Sequence, residues 1–452
     1  MTFLRRPQLF LRCALLLAAL ALRAPLVVPA FAQTTPASPV ADSTDSAAAL
    51  SNPGAQPAYH LPPEKLAKAV RLSRIRNILD IAGSIWGIVL IWLLLATRAA
   101  AAIEAWARRA VRNRWLQGVL YFAAFFLISA LAALPLDLYG HIVERSYQIS
   151  VQKWPGWFAD QGKALALAML VGIPAYQLFH RIARKWPRRY WLGMWVVSIP
   201  LLVLVMFVEP LVEPLFDHFE PLSKNHPALV LELEKVVART GTNIAPDRMY
   251  LMDASAKTNG LNAYVTGLGS TKRIVVWDTT AGRIPDDEVL FIFAHESGHY
   301  VLNHIPKGIA CMAVALFFVF WACSAFTAWL IAKKGSRWGA PNLDSLAGFT
   351  VLLFAVSIAG FILQPVGNAI SRHFEHQADV YGQEAIHGIV PDPQKTAVAA
   401  FNDLGAAWLE DPNPSPFIEF WLYNHPSTQH RAEFAEHYNP WANDGHGEFF
   451  AK

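Results

Sequence analysis

Cysteine is scarce in this chain, and so is charge. Among 452 residues there are three cysteines, Cys13, Cys311 and Cys323. One lies at the extreme N-terminus and the other two share an apolar run, which excludes a disulfide framework and argues against a thiolate zinc site or a redox pair. Charged residues make up 16% of the chain, against about 25% in an ordinary soluble domain. With 54% hydrophobic residues, this identifies a membrane protein. The net charge of +4 does not signal nucleic acid. The basic residues cluster in short stretches between apolar runs, where they set orientation in a bilayer.

The N-terminus carries Arg5, Arg6 and Arg12, then an apolar run over 13–22, then Ala30-Phe31-Ala32. Residues 1–32 therefore read as an export signal cleaved after Ala32 or an N-terminal anchor, with Arg23 an awkward feature that lengthens the polar region before the cut. Residues 33–76 read as a flexible tether and basic juxtamembrane segment. Their first part is rich in Ala, Ser, Thr and Pro, and their end holds Lys65, Lys68, Arg71, Arg74 and Arg76. Four apolar runs follow within 77–208, at 78–97, 116–136, 163–180 and 190–208, each close to the length that crosses a bilayer as a helix. Between the second and third lies Lys153-Trp154-Pro155-Gly156-Trp157, whose indoles suit a bilayer interface. Two more runs, 308–332 and 346–370, fall within 306–370. That gives six spans, or seven if the N-terminal segment is retained.

Residues 209–305 form an insertion between the fourth and fifth spans. Leu229, Val230, Leu233, Val236 and Val237 recur at helical spacing, and 249–252, 261–265 and 273–277 read as short strands. The expected fold is mainly α, a polytopic helical membrane protein carrying a small α+β insertion. Residues 371–452 form the C-terminal region.

Within the insertion, 291–300 reads FIFAHESGHY. On a helix His295 and His299 stand one turn apart and project from one face, so both imidazoles can hold one Zn²⁺ per chain. Glu296 beside them is placed to take a proton from water. A third ligand is expected after the last span, in NAISRHFEHQADVYG. Glu375 and Asp379 share a helix face there; Glu375 would complete a His₂Glu set, and Asp379 would orient a ligand histidine from behind. His373 and His376 compete for the ligand role but lie on other faces. Asp80 is the clear acid within a span, which disfavours an ion transporter. A non-catalytic zinc-binding scaffold is the other alternative, and the presence of Glu296 speaks against it.

HESGH, the downstream SRHFEHQADVYG, the intervening NAYVTGLGSTKRIVVWDTT and the phrase EPLVEPLFDHFEPL together resemble the type I CAAX prenyl endopeptidase family. These are integral-membrane zinc metallopeptidases of the gluzincin kind, with HtpX-like proteases more distant. The resemblance implies zinc on His295, His299 and Glu375, with Glu296 as general base. It implies that Asn262, Ala263 and Tyr264 lie on an edge strand aligning the substrate backbone. It implies that His425 and Arg431, in NHPSTQHR, contact substrate or transition state. The expected partners are a polypeptide substrate and the lipid bilayer. CAAX-type processing of prenylated C-termini is the family's usual activity and stands as the alternative substrate reading. The basic stretches 98–114, 181–189 and 333–337 fall on one side of the membrane by span count, and that side reads as cytoplasmic. The peptidase region then faces the periplasm of a bacterial inner membrane.

Overall fold

The computed structural model describes residues 58–267, 269–442 and 445–450. The expected export signal or anchor and the expected tether as far as residue 57 lie outside the described residues. The membrane part begins with α1 (Pro63–Ala96), α2 (Ala99–Ala110), α3 (Arg114–Ser146), α4 (Trp154–Lys185) and α5 (Tyr190–Val212). Then come strand β1 (Phe219–Pro221), helix α6 (Pro227–Thr240) and strands β2 (Met249–Met252), β3 (Ala263–Thr266) and β4 (Arg273–Trp277). Helices α7 (Asp286–Val301), α8 (His304–Trp338), α9 (Leu346–Ala385), α10 (Pro393–Trp408), α11 (Pro416–Leu422) and α12 (Thr428–His437) complete the chain.

Among the described residues, six helices are long and apolar enough to cross a membrane: α1, α3, α4, α5 with its short extension to Leu215, α8 and α9. They coincide with the six apolar runs, but several begin earlier than hydropathy alone suggests. α1 starts at Pro63, with proline in the first turn, where its missing N–H costs nothing. The basic segment 65–76 is therefore the first three turns of a helix. Its buried stripe is Ala69, Leu72, Ser73 and Arg76, a helical spacing disguised by a serine and an arginine. Arg76 grips Glu144 of α3 through two 2.8 Å bonds and donates to the Trp408 carbonyl at 2.8 Å. The stretch 98–114 likewise holds α2, set off from α1 by Arg98 at φ 62°.

The helices pack around an aromatic core in which Phe122, Phe126, Tyr176 and Phe349 meet edge-on or stacked. Tyr121 and Thr350 share a buried 2.6 Å hydrogen bond within it. The Trp-rich stretch folds back on α3. Trp157 is buried and stacks on His141 at 5.0 Å, with Trp154 edge-on to the same ring.

The two ends of the bundle differ. At one end Arg184 pairs with Asp344, His180 meets the Asp344 carbonyl, and Glu104 accepts the Ala347 amide. These contacts gather the basic stretches 98–114, 181–189 and 333–337 onto one face. At the other end the loop after α3 joins the insertion, where Val151 donates to Lys257 O and Lys257 pairs with Asp160 and Asp217. There the sheet runs β1-β2-β4-β3, with β2 and β4 parallel and the outer pairs antiparallel. β3 is an edge strand, and α7 packs against it.

α7 opens with Asp286, Asp287 and Glu288 at its positive end. Glu288 is buried against Asp403 of α10, and burial with that second acid pushes its carboxyl up from 4.5 to about 8. Over that window the folded chain holds a proton that the unfolded chain has released, so stability falls as pH rises. Glu288→Gln keeps a donor toward Asp403 and has no proton to lose. Thermal melting in detergent between about pH 5 and about pH 8.5 should show a shallower decline of Tm for the variant than for the parent. Equal slopes would remove Glu288 as the titrating group.

A candidate metal centre between two helices

Helices α7 and α9 approach closely because each places a glycine at their contact, Gly382 against the α7 backbone and Gly298 against the Tyr381 side chain. A Cβ on Gly382 of α9 would meet the His295 amide nitrogen at 2.9 Å, and one on Gly298 of α7 would meet Tyr381 at 3.1 Å. That proximity brings one nitrogen each from His295 and His299 and a carboxylate oxygen of Glu375 within 4.8 Å of one another. His295 Nε2 lies 3.3 Å from His299 Nε2 and 3.2 Å from Glu375 Oε2, and His299 Nε2 lies 3.6 Å from Glu375 Oε1. Ligands at about 2.0–2.1 Å from a tetrahedral zinc stand about 3.3–3.4 Å apart. The donor set therefore fits one such ion.

Electrostatics agree. Glu375 is 3% exposed, and its Oε2 has no well-aligned hydrogen bond although His295 and His425 nitrogens stand within 3.2 Å. A buried carboxylate oxygen of this kind calls for a cation. Burial holds His299 neutral, with its pKa pushed down to about 3, which leaves a lone pair for a metal. Burial also works against charge on His295, but Asp379 and Glu375 outweigh it and raise its pKa to about 9. The two carboxylates thus favour positive charge at this point, which a metal ion would supply by displacing the proton.

The candidate ligands are braced from behind. Asp379 Oδ1 lies 2.8 Å from His295 Nδ1. Arg431 of α12, itself buried, holds Asp379 through bonds of 2.6 and 2.9 Å and lies over the Phe401 ring at 4.5 Å. His425 Nε2 reaches Glu375 Oε2 at 3.0 Å, and burial lowers the pKa of its ring. The segment carrying His425 is tied to α9 by Asn368, bonded to the Trp421 carbonyl at 2.7 Å, and by Arg372, bonded to the Glu419 carbonyl at 3.0 Å. His373 and His376 are exposed on other faces of α9.

Glu296 points from α7 toward β3. Burial raises its carboxyl to about 7, with His295 and then Glu375 acting in opposite directions, and the Val265 backbone lies against it. Asn262 immediately precedes β3; its carbonyl accepts from Trp277, and its amide meets Thr280 Oγ1 at 2.7 Å. Ladder alternation then turns the backbone groups of Ala263 and Val265 outward, toward α7. The Tyr264 side chain lies on the other side of the strand, bonded to Glu213 at 3.2 Å.

Sequence reasoning missed His304, whose Nδ1 lies 3.1 Å from His299 Nδ1. It sits five residues beyond His299, off the helical repeat. The chain turns at Asn303, φ 57°, to bring it back.

A family model described as Peptidase family M48 matches residues 224–439, and one described as CAAX prenyl protease N-terminal, five membrane helices, matches residues 48–218. The chain is 33% identical over 388 residues to the uncharacterized metalloprotease YhfN of Bacillus subtilis (strain 168), across 84% of this chain and 88% of that one. The chain belongs to peptidase family M48. This M48 protein is also 28% identical over 337 residues to CAAX prenyl protease 1 of Saccharomyces cerevisiae, across 70% of this chain and 71% of the relative. The crystal structure of S. mikatae Ste24p shares its fold, with a TM-score of 0.69 at 24% identity over 82% of this chain and 89% of that one. The protein is a multi-pass membrane metalloprotease.

The helix contact sets a test. Gly382→Ala should force the α7 and α9 backbones apart and weaken metal binding about tenfold or more, measured by chelator competition on purified protein. Affinity equal to the parent's would show that the site tolerates the displacement.

Proposed function

We propose that this M48 protein is a zinc endopeptidase in which His295, His299 and Glu375 hold the metal and Glu296 acts as general base. The observation that carries the reading is the tetrahedral spacing of three donors beside the half-buried Glu296 carboxyl, poised near neutrality. Zinc, when bound, supplies Lewis acidity toward a water and the scissile carbonyl. Glu296 takes the proton of the attacking water and delivers it to the leaving amine, work suited to a carboxyl held near pH 7. The outward edge of β3, from Asn262 through Tyr264 to Val265, is suited to bind an extended peptide as an added strand and to lay its carbonyl beside Glu296. His425 is near enough to the centre to donate to an oxyanion as the carbonyl is attacked. The burial of Arg431 against Asp379 and His295 favours an electrostatic influence on the transition state exerted through those groups.

Orientation bears on the substrate. The gathering of three basic stretches at the end away from the insertion agrees with a cytoplasmic placing of that end. The basic segment 65–76 lies at the peptidase end and counts against this placing, although its Arg76 is turned inward onto Glu144 and the Trp408 carbonyl. The peptidase region would then face the periplasm across a bacterial inner membrane, and the substrates would be exported or membrane-embedded polypeptides. Processing of prenylated C-termini, which the names of several relatives suggest, would fit the opposite orientation, because prenylated polypeptides are made in the cytoplasm.

Three measurements follow. Glu296→Gln should abolish peptide hydrolysis, a loss of at least about a thousandfold, while zinc stays near one per chain; activity near the parent's would end its assignment as base. Glu375→Ala should lose both zinc and activity, whereas His373→Ala and His376→Ala keep the metal. Full occupancy in the Glu375 variant would move the ligand role elsewhere. Alkaline phosphatase fused after Lys452 should be active, and a cytoplasm-dependent fluorescent protein at the same point dark. The reverse pattern would place the site in the cytoplasm and favour the prenylated substrate.

A further inference from the structure

We propose that His304 is a positioning residue for the reaction. It fixes the tautomer of His299 through a hydrogen-bonded chain ending on Gln377, and so ties metal affinity to the docking of α8 on α9. The inference rests on His299 being a metal ligand.

His304 is 2% exposed and uses both ring nitrogens. Its Nδ1 faces His299 Nδ1 at 3.1 Å, and its Nε2 faces Gln377 Oε1 at 3.0 Å. The ring stacks on Phe374 of α9 at 4.3 Å and 17°, which fixes its plane. The protons along this chain can be assigned in order. For His299 Nε2 to offer a lone pair, its Nδ1 must carry the proton and donate it to His304 Nδ1. His304 then carries its own proton on Nε2 and donates to the Gln377 amide oxygen. Turning the Gln377 amide to present its NH₂ group reverses every step and puts a proton on His299 Nε2. Gln377 thus selects the metal-binding tautomer from two residues away.

The two ligand histidines are braced by different chemistry. His295 is backed by the Asp379 carboxylate and the Arg431 guanidinium, whereas His299 is backed by a neutral ring and an amide. His304 is the first residue of α8, and Gln377 and Phe374 belong to α9. The bracing of His299 therefore spans the contact between two membrane helices, and a shift of α8 would register at the metal.

The test uses full-length protein in detergent, stripped of metal and titrated with Zn²⁺ against a chelator. His304→Phe keeps the stack on Phe374 and removes both nitrogens; it should weaken binding about 10- to 100-fold. It should also shift the visible spectrum of the Co²⁺-substituted protein, while Tm of the stripped protein stays at the parent value. Gln377→Met should weaken binding in the same direction, and Gln377→Glu, which is acceptor-only when ionised, should match or exceed the parent. His299→Ala, run beside them, should lose the metal, and retention there would overturn the ligand assignment itself. If His299→Ala loses metal but His304→Phe binds within about twofold of the parent with an unaltered Co²⁺ spectrum, His304 is packing alone. Should His304→Phe fail to fold, Gln377→Glu binding no better than Gln377→Met overturns the proposal.

Discussion

A carboxylate is buried at the meeting of α7 and α9, and most of what surrounds it exists to make that tolerable. Glu375 is almost wholly withdrawn from solvent, yet it has no well-aligned donor on one of its oxygens. An ionised acid in such a place costs several kcal/mol unless positive charge and hydrogen bonds compensate. His295, His299 and His425 converge on it, and Arg431 stands 3.8 Å away behind them. These groups come from α7, from the segment after α11 and from α12. The constraint therefore links three separate stretches of chain to one atom pair on α9. It explains why glycines were needed at the α7 and α9 contact, since any Cβ at Gly382 would press on the His295 backbone.

The membrane bundle supplies rigidity and direction. α9 runs from the aromatic core at Phe349 to the acids at Glu375 and Asp379 in one continuous helix, so the candidate metal site is built on an element anchored in the bilayer. α1 holds the peptidase end from the other side through Arg76, which reaches Glu144 and the end of α10. The small sheet adds an edge whose outward backbone lies against Glu296. Sites built on anchored helices and strands keep the fixed geometry that metal chemistry requires. The same framework separates a basic end from the peptidase end, which is how orientation and substrate choice become one question.

Much of this was legible in the sequence, because the signals were periodic or chemical. The six spans announced themselves by uninterrupted hydropathy, and β2, β3 and β4 by short runs of apolar and aromatic residues. His295 and His299 share a face by the helical repeat alone, and Glu375 and Asp379 do so again on α9. What escaped was encoded in tertiary contact. The stripe of Ala69, Leu72, Ser73 and Arg76 is helical, but its arginine is satisfied only by residues 68 and 332 positions away. α2 sits in a stretch that composition reads as a charged loop. His304 lies outside the helical register of His299, and only the turn at Asn303 returns it to the site. The indoles at Trp154 and Trp157 suited an interface by type, whereas their packing on His141 depends on how α3 ends.

The central claim is that two imidazoles and one carboxylate, with no sulfur, form the metal centre. X-ray absorption at the zinc edge of the purified full-length protein addresses it directly. A His₂Glu centre gives a first shell of nitrogen and oxygen at about 2.0–2.1 Å, with outer-shell scattering from two imidazole rings. A sulfur shell at about 2.3 Å, or scattering from three or more imidazoles, would contradict it.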